Sequence, residues 1–286
     1  MDASHHRDES ISPRDYGRLC QLVYARAGIH LGADRRTMLE ARIRRRLKEL
    51  AISSYGAYCD YLFSEDGQRE EIDDLIDVVT TNKTDFFREP RHFAWLTERA
   101  LPALAQAGRD AGGVTVWSAG CSTGEEPYTL AMVLSEYSRL HAGFRFRILA
   151  TDISRPVLHR AELAVYSKEA IGPVPPALRT KYLMRGREPD SGRFRVVPEL
   201  RRMVEFRRLN LMDASYGLEG AAQIIFCRNV IIYFDRATQQ KILGRLSRHL
   251  TPGGYLFVGH AETLHSLDLP LEPVAPALYR RSHAAA

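Results

Sequence analysis

Apolar positions change their period along this chain near residue 80. Before it they recur at helical spacing. Ile11, Leu19, Leu22 and Val23 form one stripe, and Leu39, Ile43, Leu47 and Leu50 fall at i, i+4, i+8 and i+11. Tyr55, Tyr58, Leu62 and Phe63 form another. Ile72, Leu75, Ile76 and Val79 form one with acids on its outer side. These stripes predict short amphipathic helices. Later the apolar residues come in runs. Val114–Trp117 and Phe144–Asp152 read as strands, the second ending in an acid. Ala222–Phe234 reads as an apolar strand interrupted by Cys227-Arg228-Asn229. Ile242, Leu243, Leu246 and Leu250 predict a helix over Thr238–Leu250, stopped by Thr251-Pro-Gly-Gly254, with a late strand Tyr255–Gly259. Between Tyr166 and Asn210 the pattern breaks at Pro173, Pro175 and Pro176. A helix Ala177–Met184, a turn Gly186–Gly192 and two β-rich pieces, Phe194–Val197 and Met203–Phe206, predict a small inserted antiparallel sheet.

The stretch Val114-Thr-Val-Trp-Ser-Ala-Gly-Cys-Ser-Thr-Gly-Glu-Glu-Pro-Tyr128 carries the most chemistry. A buried strand stops at a small-residue turn and a helix starts at once. Ala119, Gly120 and Gly124 let the backbone approach a ligand. Glu125 and Glu126 suit the first helical turn, and Pro127 loses nothing there. Such a turn cradles mononucleotide-like ligands, with Asp152 at the end of the next strand placed to accept ribose hydroxyls. The first glycine of the dinucleotide fingerprint is missing, which sets a nicotinamide dehydrogenase aside. A ligand with a ribose, an adenine and a zwitterionic tail but no phosphate, S-adenosylmethionine, suits the turn better. Polar Cys227, Arg228 and Asn229 after Ile224-Ile225-Phe226 mark a second strand end facing the same ligand.

Composition narrows the class. A chain of 286 residues can bury one large core and a small one. It has no run of 18 apolar residues and no signal-peptide segment, so a cytoplasmic protein without membrane insertion is expected. Its four cysteines are scattered without a C-x-x-C pair, which points to a reducing compartment and argues against a zinc site. Cys121 and Cys227 read as small packing residues, and His5-His6 as tail. The net charge is +5. Asp34–Glu49 alone contributes +4, from seven Lys/Arg against three acids. Arg35, Arg42 and Arg46 share one face of that helix. A solvated face, a nucleic-acid contact and an acidic protein partner are all compatible with it.

Thr80-Thr-Asn-Lys-Thr-Asp-Phe-Phe-Arg-Glu89, Trp117–Tyr128, Ala150-Thr-Asp-Ile153, Phe226-Cys-Arg-Asn-Val-Ile-Ile-Tyr-Phe234 and Val258-Gly-His-Ala-Glu262 together resemble the CheR family of chemotaxis receptor methyltransferases. The likeness runs from Ser12 to Tyr279. It implies an α/β, class I (Rossmann-like) S-adenosylmethionine-dependent methyltransferase with an N-terminal all-α domain (1–80) and a linker (81–99). A methyltransferase domain (100–286) follows, with the β-subdomain inserted at about 183–207. The implied reaction is glutamate 5-O-methyl esterification on cytoplasmic helices of chemoreceptors, with S-adenosylhomocysteine as product and no metal. By that resemblance Asn82, Thr84, Arg88, Gly120, Glu125, Glu126, Asp152, Asn210, Leu211, Cys227, Arg228 and Asn229 border the cofactor. Arg88 and Tyr233 lie near the reacting groups. Arg228 is alternatively a structural partner of Glu125 or Glu126, and Tyr233 a half-buried aromatic. Arg35, Arg42 and Arg46 would dock the acidic receptor helices, and the β-subdomain would bind a receptor C-terminal peptide by strand addition. A monomer is expected, with no nucleic acid. The competing readings are an RNA or DNA methyltransferase, disfavoured because Cys-Arg-Asn-Val stands in place of an Asn/Asp-Pro-Pro-Tyr box, and a non-catalytic cofactor sensor.

Overall fold

The computed structural model describes residues 10–108, 112–186, 192–218 and 220–282. The His5-His6 tail and most of the Gly186–Gly192 turn lie outside the described residues. The chain divides into two compact units, Met1–Thr81 with Tyr233–Asp235, and Asn82–Ile232 with Arg236–Ala286.

The first unit is helical: α1 (Pro13–Ala27), α2 (Arg36–Glu49), α3 (Tyr55–Leu62), α4 (Glu65–Glu70) and α5 (Ile72–Val79). Ser12, Ser54 and Ser64 cap α1, α3 and α4, each accepting an amide hydrogen bond in the first turn. Gly28 ends α1 at φ 70°. The core holds the anticipated stripes, with Leu19, Leu39, Ile43, Leu62 and Leu75 fully buried. Late in the chain Tyr233–Asp235 joins this unit. The Tyr233 carbonyl accepts from the His30 amide at 3.0 Å, and Tyr24 Oη donates to Asp235 at 2.6 Å.

The second unit opens with α6 (Arg91–Trp95) and α7 (Leu101–Gln106), joined by a π-helical turn ahead of Pro102, which has no N–H to give the preceding turn. Then come β1 (Val114–Ala119), α8 (Glu125–Leu140), β2 (Phe146–Asp152), α9 (Arg155–Leu163), β3 (Val165–Ser167), α10 (Pro176–Tyr182), β4 (Leu183–Arg185), β5 (Arg193–Val196) and α11 (Pro198–Arg201). β6 (Val204–Arg208), β7 (Ala222–Cys227), α12 (Arg236–His249), β8 (Leu250–Val258), β9 (Leu271–Ala275) and β10 (Leu278–Arg281) complete it. The main sheet has the order β6-β2-β1-β7-β8-β10-β9, and β10 runs antiparallel to both its neighbours. This is the α/β sheet expected of a class I methyltransferase. Phe226 stacks on Phe257 at 4.2 Å in its core.

Three expectations change. Val204–Arg208 is not part of the small sheet: it is the edge strand of the main one, parallel to β2, with Val204 beside Ile148. The small sheet is β3-β5-β4, so its third strand is Val165–Ser167. The apolar run after Cys227 is not strand either, because Ile231–Tyr233 turns into a 3-10 helix. Residues 82–99 are part of the second unit, with Phe86, Phe93 and Leu96 in its core.

Candidate functional site

The strand order reverses between β1 and β7, because β2 lies on one side of β1 and β7 on the other. Open α/β sheets bind ligands beyond the carboxyl ends of strands at such a switch point. The turn after β1 is held there by Thr151, whose carbonyl accepts from Gly120 and Cys121 N–H at 2.7 and 2.9 Å. Gly120 has φ 87° and Gly124 φ 96°. A Cβ on Gly124 would lie 2.8 Å from Tyr166 Oη and 2.9 Å from Ala161 Cβ, so helix α9 and β3 leave room for glycine alone. Asp152 closes the other wall. Its carboxylate accepts from the Ser122 amide at 2.8 Å and the Ser154 amide at 3.0 Å. Burial pushes its carboxyl pKa up, and these amides oppose the shift.

The two acids at the start of α8 have different partners. Glu126 accepts from Ser118 Oγ at 2.7 Å and pairs with Arg228 at 3.1 Å. Glu125 accepts from Thr123 Oγ at 2.6 Å. Burial raises the pKa of both. Arg228 is therefore a structural partner of Glu126, and it also reaches Glu89 at 3.1 Å and the Arg88 carbonyl. Its side chain is 2% exposed.

The loop before α6 adjoins the β1 turn. Ser122 Oγ donates to the Asn82 carbonyl at 2.9 Å, and half-buried Thr84 follows. The Phe-Phe pair is not exposed: Phe86 sits edge-on to Tyr166 at 4.9 Å, and Phe87 packs on Phe93. Half-buried Arg88 folds back to the Lys83 carbonyl at 3.0 Å.

At the end of β7, Cys227 is buried and Asn229 turns the chain at φ 58°. Sequence reasoning missed the residue that organises this turn. Glu262 accepts from the amides of Asn229 at 2.9 Å, Ile231 at 2.9 Å, Ile232 at 3.3 Å and Gly259 at 2.5 Å. The only sequence signal was its place at the end of Val258-Gly-His-Ala-Glu262. Asn210 Oδ1 accepts from the Met212 amide, and buried Leu211 follows the end of β6. Phe87, Glu89, Ser122 and Asn229 all have φ between 50° and 58°. Left-handed backbone at non-glycine residues costs of order 1–3 kcal/mol each and clusters at functional sites.

The structure thus gathers Asn82, Arg88, Gly120, Glu125, Glu126, Asp152, Cys227, Arg228 and Asn229 around adjoining turns of one unit. Tyr233 belongs instead to the helical unit, where the Arg35 guanidinium lies 5.5 Å from its ring centre. The basic face of α2 also differs from expectation. Arg42 donates to the carbonyls of Val78, Val79 and Thr80, satisfying the end of α5. Arg46 pairs with Glu71 at 2.6 Å and Asp74 at 2.7 Å. Both side chains are engaged within the unit; Arg44, Arg45 and Lys48 are the exposed cations of this helix.

The donor set suits S-adenosylmethionine. Two acids open α8 where a phosphate would be repelled, while a ribose hydroxyl and an ammonium would be welcomed.

A family model described as "CheR methyltransferase, SAM binding domain" matches residues 82–276, and one described as "CheR methyltransferase, all-alpha domain" matches residues 14–80. The chain is 37% identical to a chemotaxis protein methyltransferase of Borreliella burgdorferi, covering 96% of each chain. It is 40% identical to that of Salmonella typhimurium, covering 90% of this chain and 86% of the relative. It is also 40% identical to that of Escherichia coli, covering 91% and 87%.

Proposed function

The chain belongs to the CheR methyltransferase family, and from that premise we propose that it methylates glutamate side chains of chemoreceptor cytoplasmic helices, using S-adenosylmethionine, in a cytoplasmic chemotaxis-type pathway. The observation that carries this reading is Asp152 locked between the turns after β1 and β2. An ionised carboxylate has about four lone-pair sites, so two remain for the ribose hydroxyls after the amides are served. Glu125 meets the methionine ammonium, because Glu126 is taken by Ser118 and Arg228. Leu211 and Asn210 border the adenine. Asn82, Thr84 and Arg88 cover the site from the loop, and Gly120, Cys227 and Asn229 shape its floor.

The bound cofactor supplies an electrophilic methyl on a sulfonium. A receptor glutamate is already ionised at neutral pH, so no general base is needed. Its oxygen forms the new bond to the methyl carbon while the carbon–sulfur bond breaks and sulfur keeps the electron pair. No proton moves. The residues contribute alignment and exclusion of water. Arg88 holds the incoming carboxylate. Exposed Arg44, Arg45 and Lys48 steer the acidic receptor helices. The β3-β5-β4 sheet offers edges for a receptor peptide.

Methyl transfer from radiolabelled S-adenosylmethionine to chemoreceptor cytoplasmic fragments, followed by mild alkali, tests the reading. Label released as methanol is the expected result. Label stable to alkali, or found on RNA instead, would overturn it.

A further inference from the structure

Beside Arg228 three metal-ligating groups converge that the methyl-transfer reading does not use. Glu89 precedes α6, His92 lies in its first turn, and His260 comes from the turn after β8. Their nearest ligand atoms all lie within 4.8 Å of one another. His92 Nδ1 is 3.4 Å from Glu89 Oε2, and His260 Nε2 is 4.0 Å from the same oxygen. Ligands around a tetrahedral ion with bonds of about 2.0–2.1 Å stand roughly 3.3 Å apart. The His92 distance is close to that spacing, and the His260 distance exceeds it, so the half-exposed His260 ring must move inward to complete the shell.

His92 gives the second, independent observation. Its side chain is 1% exposed, yet neither ring nitrogen has a hydrogen-bond partner among the described residues. A buried polar atom left without a partner has given up its water and gained nothing in exchange. Ordinary packing leaves that cost unanswered, and a bound cation removes it. Glu89 itself sits at φ 56°, held in a conformation that an L residue rarely adopts.

We propose that Glu89, His92 and His260 form a binding site for a borderline divalent cation, zinc or a first-row neighbour. Two imidazoles and one carboxylate match zinc; magnesium and calcium prefer oxygen alone. His260, 51% exposed, gives the ion a path from solvent and leaves a position open to water. Arg228 acts as the outer partner of the ligating carboxylate. Its charge is shared between Glu89 and Glu126, which limits its repulsion of the cation. The sequence hid this site, because His260 is remote from Glu89-x-x-His92 and no cysteine takes part.

The test uses the full chain, stripped with a chelator and titrated with Co2+ while its visible absorption is followed. The expected result is one equivalent of Co2+ giving the bands of a low-coordinate site, displaced by Zn2+ and not by Mg2+. His260→Ala, at the surface, should weaken binding by more than roughly 10-fold. His92→Phe should do the same while circular dichroism confirms the fold. The double variant His5→Ala/His6→Ala should bind as the parent does. Absence of the bands, their survival in His260→Ala, or their loss in the His5/His6 variant would overturn the proposal. The readout is ion binding, so a negative result leaves the methyl-transfer reading intact.

Discussion

Arg228 Nη1 lies 3.1 Å from Glu126 Oε2, in a setting where the arginine side chain is 2% exposed and the glutamate 13%. The pair joins the end of β7 to the start of α8 across the switch point. Removing one partner leaves a buried charge without compensation, at a cost of about 3–5 kcal/mol. Arg228→Met should therefore lower the unfolding free energy by that amount in urea titrations. Arg228→Lys keeps the charge but loses the planar fork, and should fall between. Equal stability of Arg228→Met and the parent would remove this pair from the account.

Asp152 has a structural and a binding task, and the two can be separated. Asp152→Asn keeps one acceptor oxygen and should hold most of the stability. Asp152→Ala strands the Ser122 and Ser154 amides and should cost about 1–3 kcal/mol. Both should weaken cofactor binding by calorimetry. Unchanged affinity in Asp152→Asn would move the ribose contact elsewhere.

Glu262 touches no reacting atom in the proposed scheme, yet it sets the turn that carries Asn229. Glu262→Gln should reduce kcat more than it raises the KM for cofactor, because the turn loses its shape while the β1 side stays intact. Glu262→Ala should also lower the melting temperature. A Glu262→Gln enzyme with parental kcat would show that the turn forms without the carboxylate.

Arg46 and the exposed cations of α2 should behave oppositely. Arg46→Ala leaves Glu71, 1% exposed, with Tyr58 Oη at 3.0 Å as its remaining side-chain donor. It should destabilise the chain by about 3–5 kcal/mol. Arg44→Glu with Arg45→Glu and Lys48→Glu should leave the melting temperature near that of the parent. That variant should slow receptor methylation at low salt and lose the difference at high salt. A rate independent of both charge and salt would end the steering idea.

Cys121 and Cys227 should be inert. Burial pushes both thiols well above their usual value of 9.0. A raised pKa means less thiolate at any given pH, and thiolate is the reactive form. At pH 8 iodoacetamide should label half-buried Cys20 well before either of them. Rapid labelling of Cys121 or Cys227 with loss of methyl transfer would reopen a nucleophilic role.

Much of this architecture was legible in the sequence because it rests on periodicity. Leu39, Ile43 and Leu47 announced the buried face of α2, and Val114–Trp117 announced β1. What stayed hidden depends on partners far along the chain. Alternation at Val204 and Phe206 says strand, but not which sheet. The basic stripe on α2 says charge, but Glu71 lies 25 residues beyond Arg46 and on another helix. β9 and β10 carry mixed polar residues and gave no signal. In the candidate site the glycines and Asp152 were visible because backbone geometry demands particular residue types. Glu262 was not, since any acceptor of backbone amides reads as an ordinary surface acid until the turn is seen.

Tyr233, Phe234 and Asp235 complete a unit whose other residues all precede position 82. During synthesis that unit waits for them. Ribosomes add ~5–20 residues per second, so the intervening ~150 residues take about eight to thirty seconds to emerge. Until then Tyr24 and the His30 amide lack these native partners. The helical part therefore cannot reach its finished state as an early, self-sufficient module, and a fragment ending at Thr81 would stay in that unfinished condition permanently.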